Sequence, residues 1–323
     1  MIYSRIVGTG TCLPARIVSN DELAKIVDTS DEWIRSRSGI RQRHIAGEGE
    51  TTSTLALGAA QKAMAVAGVK ASEIDLLIVG TTTPDVIFPS TACLVQHQLG
   101  ANGCAAFDVN AACSGFLYAL SVADKFIKSG TAKTALVIGA ETLSRMTDWS
   151  DRSTCVLFGD GAGAVVLKPD SEAGILSTHL HADGAYRHLL YNPVGVSVGF
   201  KPDEVNAGVR VMMSGSEVFK VAVKTLDAVV EETLAANNLD KSAIDWLIPH
   251  QANLRIIDAT ARRLEMPMER VIVTVDRHGN TSSASVPMAL DEGVQSGRIK
   301  RGDLLLMEAF GGGFTWGSAL VRF

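Results

Sequence analysis

A thiol, an imidazole and a carboxamide stand out in this sequence because each follows a short apolar run that reads as a buried strand. Cys113 lies in Phe107-Asp-Val-Asn-Ala-Ala-Cys-Ser-Gly-Phe116, His250 in Trp246-Leu-Ile-Pro-His-Gln-Ala-Asn253, and Asn280 in Asp276-Arg-His-Gly-Asn-Thr-Ser-Ser283. A cysteine where a helix begins faces unpaired N–H groups and the positive end of the helix dipole, which stabilise a thiolate nucleophile. A neutral imidazole can give or take a proton, and a carboxamide can donate hydrogen bonds. Taken singly, each also has an ordinary explanation: an inert buried cysteine, a satisfied structural histidine, and turn chemistry in His-Gly-Asn-Thr. Together they carry more weight, because open α/β sheets bind ligands beyond the carboxyl ends of their strands.

The elements that must position them alternate between helical and strand patterns, which points to α/β layers. Leu55–Gly68 has helical periodicity, and Ile74–Gly80 is a nearly continuous apolar run expected of a strand buried on both faces. Phe116–Ser129 is again helical, followed by a strand at Ala135–Ile138. The order returns as a helix over Val221–Asn237, strands at Ile244–Ile248 and Val271–Val275, a helix near Pro287–Gln295 and a strand at Asp303–Met307. Asp75-Leu-Leu-Ile against Asp245-Trp-Leu-Ile gives an offset of 170 residues, and Thr134-Ala-Leu-Val against Asp303-Leu-Leu-Leu gives 169. A duplicated fold is expected, with halves 1–170 and 171–323 meeting within the Gly- and Pro-rich stretch 165–215. Asn280 then falls close to the image of Cys113.

Composition narrows the possibilities. The chain has 323 residues, 46% hydrophobic and 20% charged, enough for a sizeable core and incompatible with a disordered chain. A formal charge of −5 gives no reason to expect nucleic-acid binding. No apolar stretch reaches the roughly 18–20 residues that cross a bilayer, and the first residues lack a signal-peptide pattern. The five scattered cysteines form no disulfide framework, so a reducing, cytoplasmic setting is expected. His179 and His181 share a strand face but lack a third ligand, so no metal is expected. The glycine motifs mislead. Gly8-Thr-Gly10 runs into Leu13-Pro14, Gly159-Asp-Gly-Ala-Gly163 precedes a strand, and Gly311-Gly-Gly313 lacks the Lys-Ser/Thr of a phosphate loop. These glycines fit tight turns and close backbone approach.

With these residues in place, the sequence closely resembles the β-ketoacyl-[acyl carrier protein] synthase III family, condensing enzymes that start bacterial fatty-acid synthesis. The resemblance runs from Ile6-Val-Gly-Thr-Gly10 to the terminal Gly311-Gly-Gly-Phe-Thr-Trp-Gly-Ser-Ala-Leu320. It is most specific over Asp108–Phe116, Phe158–Gly163, Pro249–Asn253 and Arg277–Thr281. It implies the thiolase-like duplicated α/β/α/β/α fold in five layers and a homodimer. It also implies a decarboxylative Claisen condensation between a short acyl-CoA, acetyl-CoA in the first instance, and malonyl-[acyl carrier protein]. Cys113 is implied as the acylated nucleophile, His250 and Asn280 as donors to the enolate, and the backbone N–H groups of Cys113 and Gly312 as the oxyanion hole.

The resemblance further places Trp33 and Arg152 around the adenine of CoA, with Arg37 toward phosphate and Thr29 opening a capping box, Thr29-Ser-Asp-Glu32. Phe88 and Met213 are implied at the acyl pocket, Phe88 by reaching across a dimer. Lys220, Arg255, Arg262 and Arg263 make a docking patch for an acidic carrier protein. No cofactor is implied, since acyl-CoA is a substrate. The segment 186–213 matches the family least and looks several residues longer. Two other readings stay open: a thiolase-fold relative with another primer or acceptor, and a non-catalytic scaffold that kept the fold.

Overall fold

The computed structural model describes residues 2–197 and 210–323. Nine strands build two sheets. The first comprises β1 (Tyr3–Cys12), β2 (Leu76–Gly80), β3 (Ala105–Val109), β4 (Ala135–Thr142) and β5 (Asp160–Asp170), in the order β1-β5-β4-β2-β3. The second comprises β6 (Ile175–Ala182), β7 (Trp246–Pro249), β8 (Leu304–Gly311) and β9 (Thr315–Arg322), in the order β7-β8-β9-β6. Pairings correspond throughout: β2 runs parallel to β4 as β7 does to β8, and the next two strands are antiparallel in both sheets.

Equivalent residues do equivalent work. The Asp75 N–H donates to Thr134 O at 3.0 Å, and its carboxylate accepts the Thr134 N–H at 3.0 Å. Asp245 makes the same exchange with Leu304 at 2.8 Å in both directions. Each aspartate thus pins the start of a strand pair. The equivalence of Thr134 with Leu304 makes the second offset 170 as well, one residue more than the sequence comparison with Asp303 gave.

Helices separate and cover the sheets in five layers. Helices α1 (Asp31–Ser38), α2 (Thr52–Ala67) and α3 (Thr91–Leu99) belong to the first half, with α2 and α3 covering the first sheet. Helices α4 (Gly115–Lys128) and α7 (Ser285–Gln295) lie between the sheets, and α5 (Gly215–Ala236) and α6 (Leu254–Arg263) cover the second. The largest apolar cluster is this middle layer, where Phe116 and Leu120 of α4 meet Val286 and Leu290 of α7 and both sheets. A Cβ at Gly8 or Gly10 would stand 2.3 or 2.5 Å from an α2 carbonyl oxygen, so the Gly8-Thr-Gly10 motif serves close helix–strand packing.

One expected strand is corrected. Over 271–275, the backbone makes a single bridge, Leu247 with Val271, and Val275–His278 is a helical turn. The Gln251 carboxamide explains this: its Oε1 accepts the N–H groups of Thr274 and Val275, which a fifth strand would have used in the sheet. Of the long segment 186–213, residues 198–209 lie outside those described.

Candidate active site

Cys113 sits in a 3₁₀ turn, Ala112–Ser114, between β3 and α4, and Ala112 holds a φ of 47°. This left-handed backbone before the cysteine turns the chain sharply enough to aim the side chain past the strand ends. The expectation of a stabilised thiolate is corrected. Burial dominates and pushes the Cys113 thiol up to about 11, with Glu141 raising it further and Ser282 pulling it down. Cys113 is 8% exposed, so loss of water outweighs the helix N-terminus.

His250 follows β7. Its N–H donates to Glu308 O at 2.8 Å, and its Nδ1 lies 2.6 Å from Ser285 Oγ at the start of α7. Burial lowers its pKa to about 3, so the ring is neutral. Burial thus favours the uncharged form of both groups. Asn280 is fastened by its backbone, donating to Leu157 O at 2.8 Å and accepting from Gly159 N–H at 3.0 Å. Its side-chain Oδ1 accepts the Ser282 N–H at 2.9 Å, which leaves the NH₂ group to donate elsewhere.

One short segment runs past all three groups. Asn280 begins it, the Ser282 hydroxyl donates to Glu141 at 3.2 Å and lines the same cavity as Cys113, and Ser285 Oγ lies 2.6 Å from His250 Nδ1. A cavity of about 500 Å³ opens at Cys113, lined also by Ser282, Gly312 and Gly313 together with apolar Leu143, Phe158 and Leu190. His250 and Asn280 are not among the described residues lining it and reach it through the 280–285 segment behind Ser282. A Cβ at Gly311 would lie 2.5 Å from Cys113 N, so only glycine lets this strand end close on the cysteine backbone. A second depression of about 370 Å³, between Leu23, Ile26 and Trp149, holds none of these groups.

The remaining sequence candidates fall around this centre. Trp33 lies in the first turn of α1, with the Arg37 and Arg152 guanidinium carbons 4.7 and 4.9 Å from its ring centroid. The helix cap is corrected: Ser30, not Thr29, accepts the Trp33 N–H, and the buried Thr29 hydroxyl has no partner among the described residues. Phe88 is 84% exposed and follows exposed Val86 and Ile87. Met213 pairs with Leu190, which lines the cavity, while Met213 stands behind it. Arg263 makes a two-pronged pair with Asp227, Arg262 pairs with Asp258 at 2.7 Å, and Arg255 lies 5.4 Å over Phe219. Lys220 is exposed on α5. Among the described residues no cluster of His, Cys, Asp and Glu could hold a metal ion.

Sequence reasoning missed the supporting residues. Glu141, fully buried at the end of β4, accepts hydrogen bonds from Thr81, Thr82, Thr83 and Ser282 and lies 3.1 Å from the Ser283 hydroxyl. A carboxylate closing an apolar strand run was the available signal. Gln251 ties β7 to the loop before Asn280 through Ile272 O and the Thr274 N–H. The fully buried Arg43 bonds Val18 O, Asn20 and Val156 O, and burial lowers its pKa to about 10. Nothing in local sequence marks these partners.

Two family models match the chain: one described as 3-oxoacyl-[acyl-carrier-protein (ACP)] synthase III over residues 107–184, and its C-terminal counterpart over residues 234–323. A β-ketoacyl-[acyl-carrier-protein] synthase III from Xanthomonas campestris is 71% identical, covering 100% of this chain and 99% of its own length. The Xylella fastidiosa (strain 9a5c) protein of that name is 69% identical with the same coverage of 100% and 99%. Among solved structures, 3-oxoacyl-[acyl-carrier-protein] synthase III from Aquifex aeolicus matches with a TM-score of 0.93 and 50% identity, over 99% of this chain and 100% of that one. The priming β-ketosynthase of the R1128 polyketide pathway matches with a TM-score of 0.93 and 38% identity, over 99% and 96%.

Proposed function

Because the chain belongs to the β-ketoacyl-[acyl carrier protein] synthase III family and has its thiolase fold, it is an acyltransferase that initiates fatty-acid synthesis, and we propose that Cys113, His250 and Asn280 perform the condensation. The observation that carries the assignment is the 280–285 segment, which contains Asn280, contacts His250 through Ser285 and shares a cavity with Cys113 through Ser282.

In the first half-reaction the Cys113 sulfur attacks the thioester carbonyl of acyl-CoA. The C–S bond to CoA breaks, and the thiol proton ends on the departing sulfur. A covalent acyl-enzyme splits one difficult step into two easier ones. Negative charge on the tetrahedral oxygen meets the N–H groups of Cys113 and Gly312, which the close approach of Gly311 brings together.

In the second half-reaction malonyl-[acyl carrier protein] loses carbon dioxide, and the electron pair of the broken C–C bond becomes an enolate. His250 and Asn280 donate to its oxygen; the imidazole is uncharged, and the Asn280 Oδ1 is already occupied, leaving its NH₂ to donate. The carbanion attacks the acyl-cysteine carbonyl, the C–S bond breaks, and the sulfur takes up one proton. The products are 3-oxoacyl-[acyl carrier protein], carbon dioxide and free enzyme. These steps call on no cofactor beyond the two thioesters.

A short primer such as acetyl is the substrate this reading takes in the first instance. Trp33 and Arg152 are placed to hold the adenine, which must displace a guanidinium already resting on the indole, with Arg37 toward phosphate. Lys220, Arg255, Arg262 and Arg263 form the carrier-protein face. Asp227 and Asp258 already neutralise two of these, so docking exchanges one carboxylate for another and mainly steers encounter. The exposed Val86-Ile87-Phe88 run suits burial by a second copy, which would complete the pocket near Met213. No described helix is long and apolar enough to cross a membrane, and we place the protein in the cytoplasm. The division at 170/171 falls between β5 and β6.

Intact-protein mass spectrometry after incubation with a panel of acyl-CoAs tests this reading. A stable acetyl increment on wild type is expected. Uptake of only medium or branched chains would move the assignment to a relative with another primer, and no uptake at all would favour the scaffold.

A further inference from the structure

A donor role for His250 requires the proton on one particular ring nitrogen. A neutral imidazole carries one N–H and one bare nitrogen. Its Nδ1 lies 2.6 Å from Ser285 Oγ, and the Gln251 N–H donates to that same oxygen at 3.3 Å. Ser285 is 1% exposed, so its hydroxyl has no access to bulk water. A serine hydroxyl has one proton to give and two lone pairs. Gln251 occupies a lone pair, so among the described residues Nδ1 is the acceptor within reach of the serine proton. Were Nδ1 protonated, the oxygen would receive two donors and its own proton would be buried without an acceptor.

We propose that Ser285 is a positioning residue that donates its hydroxyl hydrogen to Nδ1 and so holds His250 as the Nε2–H tautomer, presenting a donor to the enolate oxygen. Asn280 is treated alike. The Ser282 N–H occupies its Oδ1 and leaves the NH₂ as the free end. Two serines three residues apart thus fix which way both donors point. The position of Ser285 is itself held from two sides: it is the first residue of α7, and it bonds the backbone beside β7. The catalytic half of this inference rests on the proposed enolate role of His250; the tautomer assignment does not.

The test uses the full chain labelled with ¹⁵N-histidine, observed by NMR at neutral pH, alongside rates for each half-reaction. Wild type is expected to show a protonated Nε2 and a bare Nδ1 for His250. Ser285→Ala should lose that preference and slow malonyl decarboxylation by ~10–100-fold, with acylation of Cys113 slowed far less. Ser285→Thr, which keeps the hydroxyl, should restore both signal and rate. Adding Ser285→Ala to His250→Ala should cause no further loss. A wild-type spectrum with the proton on Nδ1 overturns the proposal, as does an unslowed Ser285→Ala when His250→Ala is impaired. Unimpaired decarboxylation in His250→Ala overturns the donor role instead, and the wild-type spectrum distinguishes that failure from a wrong tautomer.

Discussion

The turn carrying Cys113 and the turn carrying Ser283 occupy matching places in the two halves, 170 residues apart. Each is a 3₁₀ turn running straight into a middle-layer helix, and each begins on a non-glycine residue with positive φ, 47° at Ala112 and 49° at Ser282. Such a backbone costs roughly 1–3 kcal/mol and persists only where its surroundings hold it. In the first turn, the following side chain opens on the cavity. In the second, Ser283 is fully buried; its hydroxyl donates to Gly80 O at 2.7 Å and lies 3.1 Å from Glu141 Oε1. The same backbone device presents a nucleophile in one half and clamps the interior in the other. Duplication kept the geometry while the chemistry diverged.

The widest separation between the turns should come from their central residues. Cys113→Ala is expected to abolish the acyl mass increment, while Ser283→Ala retains it; an increment on Cys113→Ala would erase the contrast. Next in size, His250→Ala and Asn280→Ala should each reduce malonyl decarboxylation by ~10²–10³ and spare acylation more, measured as carbon dioxide release from a pre-acylated enzyme. A normal rate in either variant removes that residue from the enolate site.

Titration sharpens the comparison further, because only the first turn carries an ionisable group. With the Cys113 thiol at about 11 instead of 9.0, its alkylation by iodoacetamide should rise about tenfold per pH unit from pH 8 to 10 without levelling. A plateau below pH 9 would show that burial does not govern the sulfur. His250 works in the opposite sense. Its pKa is depressed from 6.5 to about 3, so the unfolded chain binds a proton that the folded chain refuses. The stability this group contributes is complete above pH 6.5 and falls, by up to about 1.4 kcal/mol per pH unit, as pH drops toward 3. Denaturant midpoints across that window should fall less steeply for His250→Ala. Smallest of all, Ser283→Ala should lower stability by about 1–3 kcal/mol by leaving Gly80 O short of a donor. An unchanged midpoint would mean that the second turn is no clamp.

Much of this arrangement was legible in the sequence, for identifiable reasons. Apolar runs such as Leu76–Gly80 announce strands buried on both faces, and the paired Asp75 and Asp245 carry the repeat. The three candidate residues stood out because each lies within a few residues of an apolar run, although the run before Asn280 forms no strand. What failed depended on contacts between distant residues. The Cys113 thiol reads as activated from its helix-start position, yet enclosure by the other half decides its pKa. The fifth strand at 271–275 dissolves because Gln251, some twenty residues earlier, takes its N–H groups. Ser30 caps α1 although Thr29 fits the local pattern equally well, since both precede acidic residues. Ser285 is an unremarkable residue of the sequence until the fold brings it His250 and Gln251.

The middle layer has a kinetic corollary. Helices α4 and α7 come from opposite halves and share one apolar interior; the turn carrying the proposed nucleophile leads into one, and the segment fixing both proposed donors leads into the other. Neither half alone can host a competent reaction centre, even one that has reached its own secondary structure. During refolding from denaturant, helical circular dichroism should therefore return before acyl uptake, with the delay measuring how long the two halves take to find each other.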